Sequence, residues 1–125
     1  MISSAWRTTP TYASAFSKYL KRQDRAFQAT VRDVIEDDIL PNPLVGTQKA
    51  GDLSDFWVYK FKHNKQQYLI AYRFPDYKNQ AMALRKLLNT SPVVETSLEI
   101  INISVAFEQL GSHENFYDEL KVRQR

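Results

Sequence analysis

Two consecutive apolar stripes constrain this chain more than any other feature. Tyr12, Phe16, Tyr19 and Leu20 fall at helical spacing, and so do Phe27, Val31, Val34 and Ile35. The first stripe predicts a helix over Thr11–Arg22, with Thr9 or Thr11 as its cap and Pro10 in its first turn. The second predicts a helix over Asp24–Leu40, capped by Asp24 and stopped by Pro41 and Pro43. Helices joined so closely form a hairpin, and both stripes need one common surface to cover.

That surface is foreshadowed by strand signals. Ser4–Thr9 reads as a short first strand ended by Pro10. Phe56–His63 (FWVYKFKH) and Gln67–Phe74 (QYLIAYRF) are rich in aromatic and β-branched residues, with Asn64-Lys65 as a tight turn between them. Leu98–Val105 (LEIINISV) is a further strand. Asn42–Ser54 is a loop with Gly46 and Gly51 as turn residues. Pro75–Ser97 is longer than an ordinary connection, and its Gln80–Leu88 run (QAMALRKLL) suits a short helix. Phe107–Gly111 reads as a connection, and Asn115–Val122 as a final helix before a basic tail, Lys121–Arg125. The expectation is one α+β domain over residues 1–125: a small antiparallel-rich sheet, the N-terminal helical hairpin packed on one face, and a short C-terminal helix. The second face is then partly open or covered by the C-terminal segment, and lined with cations it would be a binding cleft.

Composition narrows the chemistry. Cysteine is absent, so disulfides and thiolate metal sites are excluded. The start MISSAWRTTP has no basic and apolar leader, and no stretch has the length of a membrane span, so a soluble, cytoplasmic protein is expected. Net charge is +3, and the excess is local. Lys49, Lys60, Lys62, Lys65, Arg73, Lys78, Arg85 and Lys86 face only Asp52, Asp55 and Asp76 in the same stretch, whereas Asp33–Asp38 is acidic. Clustered cations are the footprint of a nucleic-acid binder, although surface lysines also serve simply as solvated groups.

The TTPTYASAFSKYLKR start, the glycine-bounded loop into GDLSDFWVYKFKH, then YLIAYRF, LEIINIS and LGSHENFYDELK together resemble the RelE/ParE toxin superfamily. Within it they are most similar to the ParE-like branch that carries a C-terminal Gly-x-His-Glu-Asn-Phe-Tyr segment; the Pro75–Ser97 insert departs from the compact members. The resemblance implies a type II toxin-antitoxin system, in which an antitoxin partner wraps the toxin. RelE-type members cut messenger RNA, usually at the ribosome, whereas ParE-type members inhibit DNA gyrase. A shared fold does not choose between them.

RNA cleavage without a metal requires attack of the ribose 2′-hydroxyl on the adjacent phosphate. A base takes the hydroxyl proton, an acid protonates the leaving oxygen, and cations stabilise the crowded phosphorane. Arg73 suits phosphate by its planar fork, and the resemblance puts an active-site arginine at such a strand end; pairing to a carboxylate across the sheet is the plainer role. His113 is one of two histidines and can exchange protons near neutrality; alternatively Ser112 or His113 caps the last helix. Tyr117 lies four residues further on, on the same helical face, where the resemblance implies a tyrosine that stacks a base or moves a proton. Phe116 can stack a nucleobase or fill the core.

Lys60 and Lys62 share one sheet face by period-two alternation with Trp57, Tyr59 and Phe61, and would form a phosphate track if that face is open. Lys49, in the preceding loop, is a further RNA-binding candidate. His63 at its turn reads as a surface residue. No dense His and carboxylate cluster suggests a metal, no glycine-rich phosphate loop is present, and no cofactor is expected.

These residues favour a messenger-RNA endonuclease that blocks translation, with Arg73, His113 and Tyr117 converging in space. Its partners would be RNA, with or without the ribosome, and an acidic or amphipathic antitoxin segment over the basic face. The alternative is a non-enzymatic inhibitor of DNA gyrase or another protein target. A third is a toxin relic retained as an antitoxin-binding or autorepressor subunit.

Overall fold

The computed structural model describes residues 6–75 and 101–124. The helix expected over Gln80–Leu88 lies outside the described residues, as does nearly all of its insert. The elements run β1 (Trp6–Tyr12), α1 (Ser14–Lys21), α2 (Arg25–Asp33), β2 (Thr47–Gln48), β3 (Trp57–His63), β4 (Gln66–Arg73), β5 (Ile101–Ser112) and α3 (Phe116–Gln124). They form a five-stranded sheet of order β1-β5-β4-β3-β2. Among the described residues only the β1–β5 pair is parallel; β5–β4, β4–β3 and β3–β2 are antiparallel. The α+β architecture, with its N-terminal hairpin on one face and a C-terminal helix, is the one the sequence predicts.

Local chemistry accounts for these elements, with several corrections. Asp24 caps α2, its side chain accepting from the Phe27 N–H at 2.8 Å. Neither Thr9 nor Thr11 caps α1: both lie within β1, and the helix follows Ala13 without a side-chain cap. Pro10 does not end β1, because β1 is an edge strand, where a missing N–H need not break a ladder. The expected second helix is α2 continued by a π-helical turn, Val34–Ile39, in which the Leu40 N–H reaches the Ile35 carbonyl at 2.9 Å. Asn64 and Lys65 both have positive φ, 51° and 68°, as a type I′ hairpin turn demands.

β5 runs straight through the expected Phe107–Gly111 connection. Ala71 pairs with Gln109 while Tyr72 pairs with Phe107, leaving Glu108 as the extra residue of a bulge. The bulge keeps Val105, Phe107 and Leu110 all on the hairpin side and buried.

Alternation then builds two apolar layers. On one face Phe16, Phe27, Val31, Val34, Ile35 and Ile39 pack onto Trp57, Phe61, Ile70, Tyr72, Ile103 and Phe107. On the other, Phe116 and Leu120 of α3 cover Val58, Leu69 and Ala71, joined by Leu53 and Phe56. At roughly 2 kcal/mol per buried large side chain, Phe116 and Leu120 give α3 ample reason to dock.

Candidate functional site

The second face of the sheet carries the candidate site, and α3 organises it. The turn from β5 into α3 is closed by the Phe116 N–H on the His113 carbonyl (3.3 Å) and by Asn115 at φ 64°. Asparagine tolerates that left-handed conformation better than most residues. Beneath it, the buried Gln109 side chain donates from Nε2 to the Phe116 carbonyl at 2.8 Å. Phe116 is therefore locked into the core at 2% exposure, and the plainer of its two expected roles holds.

Tyr117 is half-buried and emerges beside the loop after β2. That loop is ordered by the Lys49 N–H on the Phe56 carbonyl (2.9 Å) and by the short 3-10 turn Gly51–Leu53, begun with Gly51 at φ 65°. The Lys49 ammonium sits 5.0 Å from the centre of the Tyr117 ring, a cation–π distance. The His113 ring stands edge-on to the same tyrosine, 6.1 Å away. Next to them opens a cleft of about 430 Å³ lined by Lys49, Ala50, Gly51, Asp52, Leu53, Tyr117 and Lys121. His113 is exposed, as a group that meets substrate must be.

Lys60 and Lys62 are exposed on the same face of β3 as Val58, the face that α3 covers in part. Lys60 pairs with Leu69, which pairs in turn with Gly111, two residues before His113. The lysines thus lie on the sheet face that carries the His113–Tyr117 corner.

Arg73 does not join that corner, and the expected convergence of Arg73 with His113 and Tyr117 is corrected by the register. Ser112, the neighbour of His113, pairs with Tyr68, whereas Arg73 pairs with Ala106. Five residues of β4 separate the two ends, about 16 Å of strand. Tyr117 and Arg123 are likewise separated along α3 by about 9 Å of helix rise. At its own end Arg73 donates from Nε to Glu108 Oε2 at 3.0 Å, and Glu108 Oε1 takes Arg123 Nη2 at 3.0 Å. Arg123 also bonds the Glu108 carbonyl. The bulged Glu108 thereby ties β4, β5 and the end of α3 together, and Arg73 serves that tie.

His63 is occupied elsewhere: its Nδ1 lies 3.0 Å from Thr30 Oγ1 and its ring meets Phe27 edge-on at 5.2 Å, on the hairpin face. Among the described residues no group of His, Asp or Glu is arranged to hold a metal ion. No described helix is long and apolar enough to cross a membrane.

Two charged residues of the cleft escaped the sequence reading as site residues. Lys121 read as part of a basic tail, although its spacing of four from Tyr117 on a helix was the available signal. Asp52 read only as a local counter-charge.

A small mixed sheet with a hairpin on one face and a C-terminal helix bordering a cationic, aromatic cleft on the other defines a small α+β protein. The family model described as ParE-like toxin of type II bacterial toxin-antitoxin system matches residues 11–92, and the chain belongs to that family. The match ends before β5 and α3. No curated protein and no solved structure was found to match the chain. Membership carries with it an antitoxin partner.

Proposed function

We propose that this toxin arrests growth as a messenger-RNA endonuclease, working at the Lys49–His113–Tyr117 corner. The observation that carries the reading is the meeting of a cation and an exposed imidazole on one aromatic ring, Tyr117, which itself lines the cleft. His113 takes the proton of the ribose 2′-hydroxyl as its oxygen attacks the neighbouring phosphate. Lys49 and Lys121 offset the charge that develops on the phosphorane oxygens. Tyr117 orients the nucleotide through its ring, and Lys60 and Lys62 attract the flanking backbone. The 5′-oxygen leaves, takes a proton from solvent or from the His113 imidazolium, and a 2′,3′-cyclic phosphate remains.

The test is incubation of the purified toxin with messenger RNA, with and without ribosomes, followed by mapping of the new ends. Cut ends that vanish with His113→Ala support the reading. Intact RNA in both settings, with loss of supercoiling activity by gyrase, would instead establish inhibition of a protein target. The engagement of Arg73 by Glu108 is the observation that favours this second reading, since it removes one cation from the chemistry.

A further inference from the structure

We infer that the cleft beside Tyr117 is a guanine-selective nucleobase subsite, with Asp52 as its specificity-determining residue. The inference rests on the endonuclease reading for its biological use, but not for its geometry. The cleft, at about 430 Å³, has room for a nucleotide, and its lining is graded in chemistry. Ala50 and Leu53 supply apolar surface, the Tyr117 ring supplies a stacking wall, Lys49 and Lys121 supply positive charge, and Asp52 supplies the one carboxylate among the described residues.

The present occupant of the Tyr117 ring face is the Lys49 ammonium. The contact joins two half-buried side chains, and stacking of a base on the same ring is worth about 1–3 kcal/mol, so an entering base competes for the ring. The displaced ammonium is then free for the phosphate of the same nucleotide. Lys49 and Tyr117 therefore exchange partners on binding rather than obstruct it.

Asp52 decides which base is held. Among the described residues it enters no salt bridge and no hydrogen bond through its side chain, so its oxygens are available for a ligand. A carboxylate is an acceptor only, and it is best satisfied by two parallel donors. Guanine offers N1–H and N2–H side by side. Adenine and cytosine each place a ring-nitrogen acceptor next to the amino group, and uracil flanks its single N–H with carbonyls. Each of those three would set lone pairs against the carboxylate. The backbone at Gly51, at φ 65°, holds this position next to the apolar surface; a Cβ there would meet nothing within 4 Å, so glycine serves the turn and not the space.

The experiment is an NMR titration of the full chain with the four nucleoside 3′-monophosphates, for wild type, Asp52→Asn and the control Asp55→Asn, which lies outside the cleft. Guanosine monophosphate is expected to bind at least about tenfold more tightly than the others, as one bidentate base contact provides. Asp52→Asn presents one donor and one acceptor, so the preference should be lost or pass to adenosine or cytidine, while Asp55→Asn keeps it. Equal binding of all four nucleotides by the wild type, or an unchanged guanosine preference in Asp52→Asn, overturns the inference. Mapped cleavage separates it from the function proposed above. RNA cut without bias toward guanosine sinks the subsite and leaves the endonuclease. Guanosine binding through Asp52 on a protein that leaves RNA intact sinks the endonuclease and leaves the subsite.

Discussion

Tyr72→Phe removes one oxygen from the middle of the fold and loosens the loop that brings Lys49 to the site. Tyr72 is fully buried, and its hydroxyl donates to the Pro43 carbonyl at 2.7 Å while accepting from the Gly46 N–H at 3.1 Å. Phenylalanine keeps the ring and its packing against Phe74 and Phe107. What disappears is two hydrogen bonds, at about 1 kcal/mol net each, plus the cost of an unpaired carbonyl on the buried Pro43. The loss should total about 3–5 kcal/mol, read as a lower urea midpoint with an unchanged slope. Stability within about 0.5 kcal/mol of wild type would show that the hydroxyl does not hold the loop, and would refute the reasoning.

The same residue sets a pH signature. Burial raises the Tyr72 hydroxyl well above its ordinary 10.0. Below that value the group is protonated in both the folded and unfolded chain, and its contribution to stability is constant. Above it the unfolded chain releases the proton while the folded chain holds it, so stability falls by up to about 1.4 kcal/mol per pH unit until the folded value is reached. Tyr72→Phe should therefore be less stable at neutral pH yet lose less on going alkaline. Some slope remains, because burial also raises Tyr12, Tyr19 and Tyr59.

His113→Ala should slow RNA cleavage by about a hundredfold or more, the usual loss for a proton-transfer group, with an unchanged melting temperature because the side chain is exposed. Arg73→Ala should leave cleavage within a few-fold and cost at most about 1 kcal/mol, since its side chain is 42% exposed and the ion pair is screened; a hundredfold loss in a folded variant would return Arg73 to the chemistry. Phe116→Ala should cost about 3–5 kcal/mol in a denaturant titration, and weakened RNA binding at full stability would contradict its place in the core. Replacing Lys60 and Lys62 together by alanine should make RNA binding less salt-dependent, the logarithmic slope falling by about 0.7 for each phosphate the lysines had neutralised; an unchanged slope would remove them from the RNA path.

The hairpin and the central strands were legible because burial acts through periodicity. The stripe Phe27, Val31, Val34, Ile35 and the alternation Trp57, Phe61 with Lys60, Lys62 both match what is buried and what is exposed. The ends of elements were harder to read, for particular reasons. Pro10 reads as a stop only if its strand must donate on both sides, and edge position is a property of the whole sheet. The strand through Phe107–Gly111 was hidden by its bulge, because Glu108 breaks the period of two that would have revealed it.

The site was legible in its residues and not in its grouping. Helical spacing grouped His113 with Tyr117, but His113 lies in the turn before α3, and it is that turn, with Asn115 at φ 64°, that brings the two rings together. Joining them to Lys49 required the path of α3 across the sheet, which depends on where Phe116 and Leu120 find Val58, Leu69 and Ala71. Arg73 was linked to His113 by adjacency of their strands, but neighbouring strands meet at two ends, and only the register says which. The pairing of Tyr68 with Ser112 puts His113 at one end and Arg73 at the other. A one-strand lateral step is about 5 Å, whereas the five residues from Tyr68 to Arg73 span about 16 Å, so register, more than strand order, decides which charged groups can share one phosphate.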